Sequence, residues 1–229
     1  MSEVVVTGGT GGLGAGVVRV LVDSGVRPVV TWLVDSERER SEAQFGEAVE
    51  LRRVDVRDAD AVGALVGDLQ GGSGLRAFVH LVGGYLDGAP VADMEMAGWD
   101  EQMELNLRVA AVVMKSALPA LRECEGGRMI VVGSRAALQP FAGAAAYAAS
   151  KAGLLALVSA AAQEERDHGT TVNAILPSVI NTPGNRAAMP EADHQRWVQP
   201  EEIGEVVRFL ASPAASGVTG AAIPVYGRV

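Results

Sequence analysis

A chain of 229 residues, 48% of them hydrophobic, is long enough to bury a core without a metal or disulfide staple. Its one cysteine, Cys124, excludes an internal disulfide and suits a reducing compartment. A formal charge of −9 with no basic cluster argues against nucleic acid or an anionic membrane as a standing partner.

The first predicted element is a strand over residues 1–7, carried by Val4-Val5-Val6 and stopped by Thr7-Gly8-Gly9. No basic n-region or small-residue cleavage site precedes it, so a cytoplasmic location is expected. Leu13, Val17, Val18, Leu21 and Val22 then recur at helical spacing until Gly25. Residues 28–34 read as the second strand. A helix follows, opened by Ser36 with Glu39 three residues on, a capping-box spacing. Residues 49–54 read as the third strand, and from Asp55 a helix sets Ala61, Val62, Leu65, Val66 and Leu69 on one face. Residues 77–82 are an apolar strand.

The segment 94–118 reads as one long helix with Trp99, Met103, Leu107, Ala110, Ala111 and Met114 in a stripe. Strands at 129–132 and 171–176 flank a long helix at 145–167. Ile203, Val206, Val207 and Leu210 mark a last helix, and residues 222–225 a last strand. The most apolar stretch, 142–162, carries Lys151 near its middle. A charge there would cost a membrane span ~2.5–3.5 kcal/mol, so the stretch reads as a buried helix. Cys124, among Arg122, Glu123, Glu125 and Gly126, reads as part of a surface turn. Helices alternate with strands that are continuous apolar runs, the pattern of an α/β fold with a parallel sheet covered on both faces. With no repeat or long linker, residues 1–229 are expected to form one domain.

Thr7-Gly8-Gly9-Thr10-Gly11-Gly12-Leu13-Gly14 lies between the first strand and the first helix. Glycines there permit a tight turn and close backbone approach, and the helix start offers unpaired N–H groups to a pyrophosphate. Farther on, Tyr147-Ala148-Ala149-Ser150-Lys151 sets a phenol and an ammonium at i and i+4 on one helix face. A cation nearby favours the phenolate and is expected to lower the tyrosine pKa towards the range of a general acid/base. Ser134 follows a strand, at the edge where a doubly wound sheet presents its ligands.

The spacing Thr-Gly-x-x-x-Gly-x-Gly at 7–14, with Asn106, Ser134, Tyr147 and Lys151 in order, resembles the compact branch of the short-chain dehydrogenase/reductase family. The resemblance implies a single doubly wound, Rossmann-type sheet of about seven strands. It implies a hydride transfer between NAD or NADP and a small carbonyl or alcohol substrate. Tyr147 would move the proton, and Lys151 would lower its pKa and hold the nicotinamide ribose. Ser134 would polarise the substrate oxygen, and Asn106 would hold a water that links Lys151 to solvent. Coenzyme contacts are implied at Gly8, Thr10, Gly12, Leu13, Trp32, Asp55, Val56, Gly83, Tyr147, Lys151, Pro177, Ile180 and Thr182. Family members usually pair through the helices that here carry Asn106 and Tyr147, so a homodimer or homotetramer is expected.

The pattern breaks at His80-Leu81-Val82-Gly83, where the family usually has Asn-Asn-Ala-Gly, and at Ser178, where it has glycine. His80 reads as a packed histidine rather than a coenzyme contact. Trp32 stands where an acid would select NAD and a base NADP, and Asp35, Arg38 and Arg40 beyond it pull in opposite directions. Residues 182–199 should form a short substrate lid, with Trp197 anchoring it on the core. Asp93, Glu95, Asp100, Glu101 and Glu104 resemble a metal site only superficially, since acids at a helix start complement its dipole. A coenzyme sensor without catalysis is the other reading. The presence of the serine, tyrosine and lysine together weighs against it.

Overall fold

The computed structural model describes residues 3–72, 74–86 and 88–229; Met1 and Ser2, the start of the predicted first strand, lie outside the described residues. Seven parallel strands form one sheet in the order β3-β2-β1-β4-β5-β6-β7. They are β1 (Glu3–Thr7), β2 (Val29–Trp32), β3 (Glu50–Arg53), β4 (Leu75–His80), β5 (Arg128–Val132), β6 (Thr171–Pro177) and β7 (Ala222–Val225). The chain runs outward from β1 to β3, then returns to lay β4 on the other side of β1, with Thr7 opposite His80. Such a reversal opens a crevice at the carboxyl edge of a doubly wound sheet.

Each face of the sheet buries its own core. On one side α3 (Ala59–Gly71), α5 (Val109–Arg122) and α6 (Ala145–Glu164) bring Leu65, Met114, Leu121 and Leu154 onto Phe78 and Met129. On the other, α1 (Gly12–Asp23) and α8 (Pro200–Leu210) bring Leu21, Ile203 and Leu210 onto Val4, Val6 and Ile130. Full burial of one such side chain stabilises the fold by ~1.5–3 kcal/mol. The two helices of that second side touch backbone to backbone. A Cβ on Gly16 would fall 2.3 Å from Pro200 Cβ, and one on Gly204 2.8 Å from Val20 Cγ2. That contact locks the start of α1 to the segment entering α8.

Several boundaries differ from the sequence reading for local reasons. Helix α2 (Asp35–Phe45) begins one residue before Ser36, and Glu37 rather than Glu39 reaches back to the amides of Leu33 and Val34. Helix α3 starts at Ala59 rather than at Asp55, because Asp58 caps it, accepting from the amides of Asp60 and Ala61. The predicted helix 94–118 is broken: α4 (Met96–Met103) passes through a π turn at Glu104–Arg108 into α5, which continues past Pro119. The π turn rotates the stripe, so Gln102 and Asn106 are buried while Trp99, Met103 and Leu107 are half-buried. Only one face of α6 is buried, through Ser150, Lys151, Leu154, Val158, Ala161 and Ala162, so the expectation of a buried helix holds for that face alone. Its C-terminal end is fixed where Arg122 donates twice to the buried Glu165 carboxylate, at 2.9 and 2.6 Å.

Candidate active site

The β1–α1 turn supplies an anion-binding pole. Gly8 has φ +73°, and a Cβ on Gly14 would lie 2.1 Å from Gly8 O, so the first turn of α1 runs against the loop backbone. The N-cap residue, Gly11, offers no side-chain cap to the first amides of α1. Free amides and the helix dipole together favour a phosphate there. Gly12 meets Thr182, 3.0 Å from its would-be Cβ, which brings the predicted loop at 182 to the same end of the crevice.

Beside this turn a cavity of about 260 Å³ is walled by Gly8, Thr10, Trp32, Asp55 and Val56, five of the residues expected to touch the coenzyme. Sequence reading missed Glu37, Arg57 and Val82 in the same wall. Asp55 takes a bidentate bond from Arg57, at 2.9 and 2.7 Å, and that bond holds its carboxyl below the usual range. The glycine cradle and this cavity fit a dinucleotide. Leu13 and Ile180 are half-buried and pack on the α1–α8 core, and Pro177 is buried at the end of β6, paired with Val225.

The predicted proton-transfer groups converge at the carboxyl ends of β4 and β5. Ser134, just past β5, lies beside the Tyr147 phenol, where its hydroxyl favours the phenolate, and accepts from the Ala136 amide at 3.1 Å. Lys151, one turn beyond Tyr147 on α6, is 3% exposed, and its Nζ donates to Val132 O at 2.9 Å. Burial lowers its pKa to about 8. A Cβ on Gly83 would lie 2.7 Å from Asn106 Oδ1 and 3.0 Å from Lys151 Nζ, so these two groups flank Gly83.

One expectation is corrected. The Tyr147 pKa is raised, because burial disfavours the phenolate and the Ser134 hydroxyl only partly offsets it. Lys151 spends a proton on a carbonyl of β5 instead, so sharing a helix face did not by itself place its charge on the phenol.

Gln102 was not read from the sequence, and Asn106 was read there for a water rather than for the backbone of Gly84 that its side chain holds. Gln102 accepts from Leu86 N at 3.0 Å and donates to Gly84 O at 2.7 Å. Asn106 accepts from Gly84 N and donates to Gly84 O, both at 2.9 Å. These two amides, one turn apart, pin the loop after β4 and set the Tyr85 ring edge-on to Tyr147 at 5.4 Å and to Phe141 at 5.6 Å. Two polar amides at i and i+4 in an otherwise apolar stripe were the available signal. Asp93 and Glu95 line a cavity of about 220 Å³ with Tyr85, Gln102 and Tyr147, while Glu104 pairs with Arg108.

Both departures from the family pattern have structural partners. Ser178 Oγ donates to Tyr226 O at 2.7 Å, tying the loop after β6 to the chain beyond β7. His80 is 2% exposed, with Nδ1 2.8 Å from Thr7 Oγ1, so it is a packed histidine joining β4 to β1. Its Nε2 has no hydrogen-bond partner among the described residues. Burial first, and then the Lys151 charge, lower its pKa to about 3. The unfolded chain protonates this ring near 6.5 and the folded chain does not, so the unfolded state holds more protons between those values. This contribution is fully present above 6.5 and is lost as pH falls towards 3, by up to ~1.4 kcal/mol per pH unit. Denaturant melts from pH 7 to 4 should show a shallower loss of stability in His80→Asn than in the wild type; equal slopes would refute the assignment.

The predicted lid contains a short helix α7 (Pro183–Ala188), capped by Thr182 Oγ1, which accepts from Asn185 N at 3.2 Å. Trp197 is buried and Val198 bridges to Ile180, so the segment is anchored as expected, while Met189 is exposed.

A doubly wound sheet whose reversal point holds a glycine cradle and a serine–tyrosine–lysine group defines a dinucleotide-binding oxidoreductase fold. The comparisons agree. Residues 8–227 match a family described as enoyl-(acyl carrier protein) reductase. The chain is 32% identical to cis-4-hydroxycyclohexanecarboxylate dehydrogenase of Sinomonas cyclohexanicum, over 97% of this chain and 94% of that protein. It is 30% identical to a 2,5-dichloro-2,5-cyclohexadiene-1,4-diol dehydrogenase of Sphingobium indicum, over 97% and 93%. Its fold matches a short-chain dehydrogenase/reductase of Mycobacterium ulcerans with a TM-score of 0.91 and 26% identity, over 98% of this chain and 88% of that one. The chain belongs to the short-chain dehydrogenase/reductase family.

Proposed function

We propose that this protein interconverts a secondary alcohol and its carbonyl compound with NAD or NADP, using Tyr147 as the general acid/base. The observation that carries the reading is the Tyr147 phenol beside Ser134, with the Lys151 ammonium one turn away beside Gly83. The nicotinamide dinucleotide supplies the hydride donor or acceptor. Gly8, Gly12 and the amides of α1 hold its phosphates, and Thr10, Trp32, Asp55 and Val56 wall its adenosine end. Ser134 orients the substrate oxygen. Tyr147 gives a proton to that oxygen in reduction and removes one in oxidation. A phenol whose pKa is raised is already the protonated form that reduction needs. Lys151, steadied on Val132 O, has two N–H groups left for ribose hydroxyls, and Asn106 lies beside it, buried and bonded to Gly84.

Substrate shape follows from the rim. Tyr85 and Phe141 are 48% and 53% exposed, and Tyr85 stands edge-on to both Phe141 and Tyr147, an apolar edge beside Tyr147 that would cover a ring-sized apolar body. Both curated relatives named above act on six-membered carbocycles. The outer face of α6 exposes Ala152, Ala156 and Ala160, small residues suited to close packing in a homodimer or homotetramer. The test is a fluorescence titration with both reduced coenzymes, then turnover on substituted cyclohexanols and cyclohexanones against straight-chain analogues. Ring substrates should be turned over faster. Coenzyme binding with no turnover of any alcohol or ketone would favour a sensor instead.

A further inference from the structure

We propose that Glu37 makes this crevice select the coenzyme with a free 2′-hydroxyl, NAD(H), over the 2′-phosphorylated form; the inference rests on the nucleotide reading above. The last residue of β2, Trp32, can neither accept from a hydroxyl nor pair with a phosphate. The acid comes from the first turn of α2. Glu37 is half-buried and lines the same cavity as Trp32 and Asp55. Its Oε2 lies 3.4 Å from both Leu33 N and Val34 N. Those amides sit at the start of α2, where unpaired N–H groups and the helix dipole would otherwise attract an anion. An internal carboxylate therefore occupies the position that a 2′-phosphate would need.

The cations nearby do not reverse this balance. Arg57, the one arginine in the cavity wall, is held by Asp55 at 2.9 and 2.7 Å. Arg38 is held by Glu42 at 2.7 and 2.9 Å. Arg38 and Arg53 lie over the Trp32 ring, 5.8 and 5.7 Å from its centroid, and neither belongs to the cavity wall. With Asp55 and Arg57 neutralising each other, a group on the ribose 2′ carbon would meet the Glu37 carboxylate. A hydroxyl can donate to it, and a phosphate dianion is repelled by it.

Titrating the full chain with NADH and with NADPH at one fixed ionic strength reads the choice as a ratio of dissociation constants. NADH should bind at least about tenfold more tightly. In Glu37→Gln the ratio should fall to within about threefold, mainly through tighter NADPH binding, whereas Arg53→Gln should leave it unchanged. NADPH binding as tightly as NADH to the wild type, or a ratio unmoved by Glu37→Gln, would overturn the proposal while leaving the nucleotide reading intact. Binding of neither coenzyme would overturn both.

Discussion

Replacing Tyr147 by phenylalanine is expected to lower turnover by about 10²–10⁴-fold, the usual loss when a general acid is removed. Coenzyme affinity should change little, because the ring stays edge-on to Tyr85 and the Lys151 bond to Val132 O does not involve the phenol. The hydroxyl that is lost is the one beside Ser134, so the variant also removes that polar neighbour. The pH profile separates the two remaining roles. Reduction needs a protonated phenol, and a pKa raised by burial keeps it protonated through neutrality. Lys151 loses its charge near pH 8 in the empty site, so kcat/KM for reduction should decline above that value. Turnover of Tyr147→Phe at the wild-type rate would mean that another group moves the proton, and the assignment would fail.

What could be read in advance was whatever depends on spacing along the chain. The strand-like runs 4–6 and 129–132 need only a few apolar residues in a row to declare a covered parallel strand, and both lie in the sheet. Tyr147 and Lys151 sit four apart on one helix, so their common face was fixed once α6 formed. The misses share a different origin. The π turn at Glu104–Arg108 inserts one extra residue per turn without any residue type that demands it, and it moves Gln102 and Asn106 inward against the predicted stripe. The direction of the Tyr147 shift depended on where the Lys151 ammonium points. That is decided by Val132 O, nineteen residues away in sequence and supplied by another element. Glu37 and Glu39 are equally good capping residues by type, and only the backbone at Leu33 and Val34 picks the first.

The second large effect is expected in the glycine turn. A side chain at Gly14 would put Cβ 2.1 Å from Gly8 O, 2.5 Å from Gly9 Cα and 2.6 Å from Gly9 C, all of them backbone atoms. No rotamer change relieves an overlap with backbone, so Gly14→Val must force the turn open. Overpacking of this kind costs ~1–3 kcal/mol or more. The opened turn also withdraws the amides of α1 from the coenzyme phosphates, and nucleotide affinity should fall by at least about tenfold. Gly11→Ala is the control on the same loop. Its Cβ would meet Gly8 O at 3.4 Å, an ordinary contact, and its φ of −79° suits any residue. That variant should keep its stability within ~0.5 kcal/mol. Denaturation midpoints and coenzyme titrations on the pair distinguish a turn that must pack this closely from one that is merely rich in glycine. A Gly14→Val protein with wild-type affinity would show that the close approach of α1 to the loop is not what holds the coenzyme.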